Sequence, residues 1–372
     1  MVHKWLLSMC LISFQLFYSY QSIETKLKLV QIIFRHGERT PIYTYPTDWY
    51  KEAIWAKYGG LGQLTQKGMR QLFKFGQKLR NHYSAFLNAY YVHSEVDAIS
   101  TDYDRTIMST SALLAGMYKP RDYQVFHKDL NWQPIPIKIN NERTKKMFNE
   151  QPCPKLEQLR KEVYETADFK RLVEDHKDLV NYLQIHTGLN KTFSFNEIWP
   201  LGDTLFIEKS NHLHLPEWIT KDAYDRILNV SNNSFDFIFR ELEAAKLTAG
   251  GILNDMFVNI KEKIDGNKKQ IQLYGSHDSY LAPMIKLLGL SSHVKQPPCG
   301  SALILELRQS VNKYYIQVLW KLESNILKPA IINGCAQLCP YDEFVKIIQN
   351  RIVSNFSVSC KMDRSRQEKM FF

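Results

Sequence analysis

Short apolar runs that stop abruptly at charged residues recur along this chain, and they predict strands. Leu29, Val30, Gln31, Ile32, Ile33 and Phe34 run up to Arg35; Val96, Asp97, Ala98 and Ile99 run up to Ser100; Ile271, Gln272, Leu273 and Tyr274 run up to Gly275. Each is bounded by a polar cluster, as strands that feed a turn are. Alternation returns in 302–307 and 314–319, joined through Gln309, Ser310, Val311 and Asn312, which reads as an antiparallel hairpin. Helical spacing fills the intervals. Thr65 can cap a helix whose stripe Met69, Leu72, Gly76, Leu79 and Tyr83 steps by three and four, and 107–116 carries a second helical pattern. A last helix over 341–353 turns Phe344, Ile347, Ile348 and Ile352 inward. Between Cys153 and Gly251 the chain is richer in helical patterns and charge, with Pro200, Gly202 and Pro216 marking loops. Periodicity alone gives an α/β class, with no internal repeat.

The chemistry sits where the strands end. After the first run comes Arg35-His36-Gly37-Glu38-Arg39-Thr40-Pro41. Cations on both sides disfavour the imidazolium, so His36 is expected to stay neutral and nucleophilic in mild acid. The same cations suit a dianionic phosphate, Gly37 permits close approach of backbone and substrate, and Pro41 stiffens the exit. Nucleophilic attack by histidine on phosphorus is the chemistry suggested. Asp102, Asp104 and Arg105 follow the second run, and His277 and Asp278 follow the third. Ligands of open α/β sheets bind at the carboxyl ends of strands, so these three distant segments are expected to meet in one crevice.

Composition narrows the reading further. With 372 residues and 44% hydrophobic content the chain can bury a sizeable core, as one interrupted unit or two domains. Its formal charge of +10 raises the question of nucleic acid, but the cations are scattered among acids. The densest stretch, 261–269, contains Glu262 and Asp265 and reads as a solvated face, so no nucleic-acid partner is expected. His3 and Lys4 precede an apolar run over 5–14 too short to span a bilayer comfortably, which predicts a signal peptide over residues 1–20. No later run of about 18 apolar residues occurs, so the mature protein is expected to be soluble in the secretory route. Sequons at Asn190, Asn229, Asn232 and Asn355 agree with that route. Removing Cys10 with the signal leaves an odd set in an oxidising compartment: Cys153, Cys299, Cys335, Cys339 and Cys360. Cys335 and Cys339 have the alternative of half a metal site, but no second ligand pair with zinc-like spacing accompanies them.

The Arg35–Pro41 heptapeptide resembles the R-H-G-x-R-x-P signature of the histidine acid phosphatases, and the resemblance extends over about residues 26–360. Leu64-Thr65-Gln66-Lys67-Gly68-Met69, Asn131-Trp132-Gln133-Pro134-Ile135-Pro136, His214-Leu215-Pro216-Glu217-Trp218 and Pro297-Pro298-Cys299 are similar to segments of the animal lysosomal and prostatic branch. The resemblance implies an α/β fold with a mixed central sheet flanked by helices, of the histidine phosphatase and phosphoglycerate-mutase-like type. It also implies a smaller helical domain inserted as a roof. The division is then signal peptide 1–20, α/β domain 21–155, roof 156–252 and α/β domain 253–372. It makes His36 the phosphate-accepting nucleophile, Asp278 the proton donor, Arg35, Arg39 and Arg105 the phosphate-binding arginines, and His277 the second phosphate-contacting histidine. It pairs Cys153 with Cys360 and Cys335 with Cys339. The family's usual partner for Cys299 is matched here by Ile207, so Cys299 is expected to be a free, buried thiol.

What the resemblance implies is an acid phosphatase that hydrolyses phosphate monoesters, phosphoproteins being one candidate class, with no metal and no cofactor. Dimerisation through an edge that includes Trp132 is also implied, with Lys138 placing a paired cation near the two-fold axis. Narrower phosphatases for phytate or lysophosphatidate share the site motifs and differ in the roof. A catalytically silent secreted binding protein would have lost a site residue, and all six are present. A cytosolic phosphoglycerate-mutase-like enzyme shares the R-H-G core without needing a signal segment or paired cysteines.

Overall fold

In the computed structural model residues 24–148, 151–189, 197–292, 295–322 and 326–361 are described. The first apolar run forms β1 (Lys26–Arg35), whose last seven residues are all buried. Burial on both faces is why that run shows little alternation. β2 (Val96–Ser100) and β1 both pair in parallel with β3 (Ile271–Ser276), which lies between them. On its other side β1 pairs antiparallel with β4 (Ala302–Ser310), and β4 with β5 (Lys313–Lys321). β5 in turn takes β6 (Lys328–Ala330) and β7 (Leu338–Pro340), completing a seven-stranded mixed sheet. The register sets Arg35 opposite Ser276 and Ser100 opposite Gly275. Three parallel strands therefore deliver their carboxyl ends to one place.

Helices cover both faces. Thr65 Oγ1 accepts the Gly68 N–H at 3.1 Å and starts α1 (Gln66–His82). Leu72, Phe75 and Leu79 of α1, with Leu113 and Leu114 of α2 (Asp104–Met117), pack on Val30, Ile32 and Phe34. Next come α3 (Glu142–Phe148), α4 (Pro154–Glu165), α5 (Ala167–Asp175) and α6 (Lys177–Thr187). They are followed by α7 (Ile198–Ser210), α8 (Lys221–Phe239), α9 (Leu242–Ile264), α10 (Asp278–Leu287) and α11 (Tyr341–Ile348). α9 and α10 cover the opposite face of the sheet, where Ile252, Leu253, Met256, Leu281 and Met284 meet Leu29, Ile33 and Tyr274. α4 to α8 bury a cluster of their own around Phe169, Leu183, Leu201 and Ile227, which Tyr45 joins from the loop after β1.

Several boundaries differ from the sequence reading. Pro200 and Gly202 lie inside α7 rather than in a loop. Pro200 occupies the first turn, where its missing N–H has no intrahelical acceptor to lose. Gly202 lets α8 approach, since a Cβ there would meet Ser231 at 3.1 Å and Ile227 at 3.3 Å. α9 runs unbroken through residue 252, where the roof was expected to end, and its buried face belongs to the core of the sheet. α11 stops at Ile348, earlier than its apolar pattern. Disulfides join Cys153 to Cys360 and Cys335 to Cys339. The first closes a separation of 207 residues, worth roughly 5 kcal/mol in the chain-entropy account. Among the described residues no helix is long and apolar enough to cross a membrane. The signal segment 1–20 and Asn190 lie outside the described residues, while Asn229, Asn232 and Asn355 are exposed.

A buried acid pair joins the loop after β1 to α7. Glu208 is fully buried, and its carboxyl shares a hydrogen bond with that of Asp48. Asp48, also buried, accepts the Tyr50 N–H at 2.7 Å through Oδ1. Burial, and then the charge of Asp48, push Glu208 from its ordinary 4.5 up to about 9. Between those values the folded state holds a proton that the unfolded chain has released. Stability from this group is therefore complete below about 4.5 and is lost as pH rises through about 9. The urea midpoint is expected to fall from acid toward alkali, and Glu208→Gln, which cannot ionise, should flatten that fall. An unchanged slope in the variant would exclude Glu208 as its source.

Candidate active site

The strand pairing continues one residue past β1: the His36 N–H donates to Ser276 O at 3.0 Å, and the Arg35 N–H to Ser301 O at 2.9 Å. The Gly37 N–H donates to Ser109 Oγ of α2 at 3.0 Å. A Cβ on Gly37 would stand 2.4 Å from Gly68 O, and one on Gly68 only 2.1 Å from Glu38 O. Gly37 thus serves contact with the start of α1, where the sequence reading gave it to the approach of substrate. Two segments far apart in the chain interlock through paired glycines.

His36 is nearly fully buried, and its Nδ1 lies 2.8 Å from Gly37 O. A carbonyl oxygen can only accept, so Nδ1 carries the hydrogen and Nε2 keeps the lone pair. Burial first, then the charges of Arg35, His277 and Arg39, hold the imidazole well below its usual 6.5. The flanking arginines were legible in sequence; the larger cause, burial, was not. His277 stands with its ring centroid 5.4 Å away. Burial, followed by Arg105, keeps it at about 3, so it too is neutral in mild acid. Its Nε2 lies 3.1 Å from Thr101 Oγ1, which fixes the ring.

The arginines are held in three different ways. Arg35 Nη2 is 2.9 Å from Asp278 Oδ2, and its Nη1 donates to Pro297 O at 2.7 Å. Arg39 makes a two-pronged pair with Asp203 on α7, with Nη1 at 2.9 Å from Oδ2 and Nη2 at 3.1 Å from Oδ1. Arg105 belongs to the first turn of α2, which starts at Asp104 and not at residue 107. It lies over the Tyr103 ring, 4.6 Å from the centroid, and makes no salt bridge among the described residues. Burial, and then repulsion from Arg39, lower its pKa, as expected of cations gathered with too few counter-charges.

Asp278 opens α10, where a helix N-terminus favours its charge. Burial alone would raise its pKa, but Arg35 and a 2.7 Å hydrogen bond from Gln296 Nε2 outweigh burial and hold it below its ordinary 3.8. In the substrate-free site it is a carboxylate, where the sequence reading has a protonated acid. His36, Arg39, Arg105, His277 and Asp278 all line one cavity of about 540 Å³, with Ile42, Tyr103 and Trp199 among its other walls. Arg35 reaches this group through its pair with Asp278. All six expected residues are brought together.

Asp203 and Gln296 were missed. A lone acid in the apolar stretch 198–207 was the available signal for Asp203, because a buried carboxylate needs a cation. Reading Pro200 and Gly202 as loop residues concealed it. Gln296 carries no signal of its own in sequence.

A model of the histidine phosphatase superfamily (branch 2) matches residues 26–321. Lysosomal acid phosphatase of Xenopus laevis is 33% identical over 345 residues, covering 90% of this chain and 79% of that one. Prostatic acid phosphatase of Mus musculus is 30% identical over 352 residues, covering 92% and 91%. Among solved structures, the phytase from Citrobacter braakii superposes with a TM-score of 0.67 at 16% identity, covering 91% of this chain and all of that one, a likeness of fold.

Proposed function

The chain belongs to the histidine phosphatase superfamily, branch 2, and on that premise we propose that it is an acid phosphatase hydrolysing phosphate monoesters through a phosphohistidine. The observation that carries this reading is His36: a neutral ring with its lone pair on Nε2, set in a cavity with Arg39, Arg105, His277 and Asp278. Nε2 attacks phosphorus, the ester P–O bond breaks, and Asp278 protonates the leaving oxygen. Water, deprotonated by Asp278, then breaks the N–P bond and releases phosphate. The arginines hold the phosphoryl oxygens and align the attack.

The proton on Asp278 comes with the substrate. A phosphoryl dianion beside Arg35, Arg39 and Arg105 takes up the positive charge that keeps the empty carboxylate ionised, so Asp278 gains a proton in acid. Turnover is therefore highest in acid and declines toward neutrality as that proton is lost. His36 stays reactive throughout, because its pKa lies well below 6.5. A panel of phosphomonoesters assayed against pH, with acid-quenched samples kept brief and probed for phosphohistidine, tests this reading. A flat pH profile, or turnover without any phosphohistidine, would refute it. The helices 154–239 act as the roof over this cavity, contributing Trp199 and Phe235 to its wall. Two disulfides and relatives named as lysosomal support a place in the secretory route, secreted or lysosomal.

A homodimer is part of the same proposal. Tyr123, Phe126 and Trp132 are 79%, 61% and 37% exposed, with Val125 and Leu130 exposed beside them in the chain. Exposed apolar side chains gathered along one segment favour an interface. Lys138, the paired cation expected to weaken it, is held by Asp97 at 2.7 Å within its own subunit. Trp132→Ala is expected to weaken the dimer about 30-fold, as loss of a buried aromatic anchor does. Light scattering at micromolar concentration that finds only monomer for both proteins would refute the dimer.

A further inference from the structure

Two more cavities border the catalytic groups. One, of about 490 Å³, shares only Arg39 with the substrate cavity among the described residues. Cys299 lines it, the free thiol among the described residues, and is partly exposed where the sequence reading expects burial. The other, of about 360 Å³, shares Ser279 and Tyr280 with the substrate cavity. Those two residues directly follow Asp278 in the first turn of α10. Asp278 hands its proton to the departing oxygen, so the leaving group lies on this side of phosphorus. Ser279 and Tyr280 are therefore a sill between the leaving group and the second cavity.

α8 runs along both spaces. Phe235 lines the substrate cavity and Phe239, one turn later, lines the second, with their rings 5.2 Å apart. Tyr280 on the sill meets Phe148 of the second cavity at 5.4 Å between ring centroids. Aromatic surface thus continues from one cavity into the other. Leu156 and Leu247 extend the apolar wall of the second, while Gln151 and Thr248 add an amide and a hydroxyl. Arg160 is the one cation on that wall among the described residues, and Glu157 already holds it at 2.7 Å. A leaving group with further phosphates meets no unpaired positive charge there, whereas an apolar one meets a matching surface.

We propose that the two cavities together bind a tyrosine-phosphorylated polypeptide, with the phosphotyrosine in the substrate cavity and an adjoining apolar side chain across the sill in the second. The phosphotyrosine ring lies against Tyr103, Trp199 and Phe235 of the substrate cavity, with phosphorus facing His36. Its apolar neighbour packs on Phe148, Leu156 and Phe239. The backbone between the two carries amide groups that Gln151, Thr248 and the Ser279 hydroxyl can meet, which a hydrocarbon tail lacks. Leu156 and Phe239 are then specificity residues, since both line the second cavity and neither lines the first. The inference rests on the phosphatase reading for its chemistry and adds the groups that select among phosphate esters.

The test compares phosphotyrosyl peptides carrying leucine, glycine or aspartate at each position beside the phosphotyrosine, with free phosphotyrosine and a lysophosphatidate as references. Leucine at one of those positions is expected to raise kcat/KM about tenfold over glycine, as burial of an apolar side chain does, and aspartate is not. Leu156→Trp, which fills the second cavity, should erase that preference. Phe239→Leu, a gentler change should the first misfold, should reduce it. Equal kcat/KM for all the peptides, or a leucine preference that survives in the folded variants, would overturn the site. A lysophosphatidate that loses turnover in Leu156→Trp while the peptides keep theirs would give the cavity to a lipid chain and overturn the peptide. Should the protein hydrolyse no phosphate ester, the proposed function fails by itself. Binding of non-hydrolysable phosphonate analogues of the same peptides, read by calorimetry, then still decides the leucine preference.

Discussion

His36→Ala is expected to lose turnover by several orders of magnitude while keeping its affinity for phosphate. The covalent step needs a neutral nitrogen with a free lone pair in line with phosphorus, and His36 supplies it through a ring fixed by Gly37 O at 2.8 Å. Among the described residues His277 is the one other imidazole lining the cavity, but its Nε2 is engaged with Thr101, and it stands on another strand's end. The anion-binding groups remain in the variant, since Arg39 stays paired with Asp203 and Arg105 stays over Tyr103. The loss should therefore fall on kcat, with inhibition by phosphate close to wild type. A mutant retaining more than about a tenth of wild-type turnover, less than about 1.4 kcal/mol of barrier, would remove His36 from the role. Unfolding curves on the same samples separate loss of chemistry from loss of fold, because the ring is also a buried packing element.

What could be read in the sequence is what local pattern encodes. The apolar runs before Arg35, Ser100 and Gly275 are strands because their residues are buried on both faces, and the crevice at their ends follows from parallel pairing. Pattern fails where packing between distant elements decides. Gly37 and Gly68 each look like local turn residues, yet Gly37 is small because of Gly68, and Gly68 because of the Glu38 backbone. α2 begins at Asp104 in a polar stretch, so Arg105 gains a helical position that no apolar period announces. α7 tolerates Pro200 and Gly202, one by lying in the first turn and one by facing α8. The same helix hides Asp203, whose only reason for being buried is an arginine 164 residues earlier. The ionisation of the site was half legible: like charges around His36 are written in the heptapeptide, but burial and the Arg35–Asp278 pair depend on the whole fold.

Asp278→Asn is expected to sort substrates by their leaving groups. An alkyl phosphate expels a strongly basic alkoxide and needs a proton as the P–O bond breaks, so its hydrolysis should fall about 10²- to 10⁴-fold, the range for loss of a general acid. An aryl phosphate with an acidic phenol leaves as a stable anion and should be phosphorylating the enzyme at a rate much nearer wild type. Water attack on the phosphohistidine also loses its base, so the phosphoenzyme should accumulate with the aryl ester and show as a burst. The substitution has a second consequence, because Asp278 Oδ2 is the anionic partner of Arg35 at 2.9 Å. Asparagine keeps the shape but not the charge, which leaves Arg35 more strongly cationic toward a bound dianion, and phosphate should inhibit the variant more tightly than wild type. Equal losses for alkyl and activated aryl esters would show that Asp278 is not the acid. Weaker inhibition by phosphate would show that the Arg35–Asp278 pair does not oppose anion binding in the free enzyme.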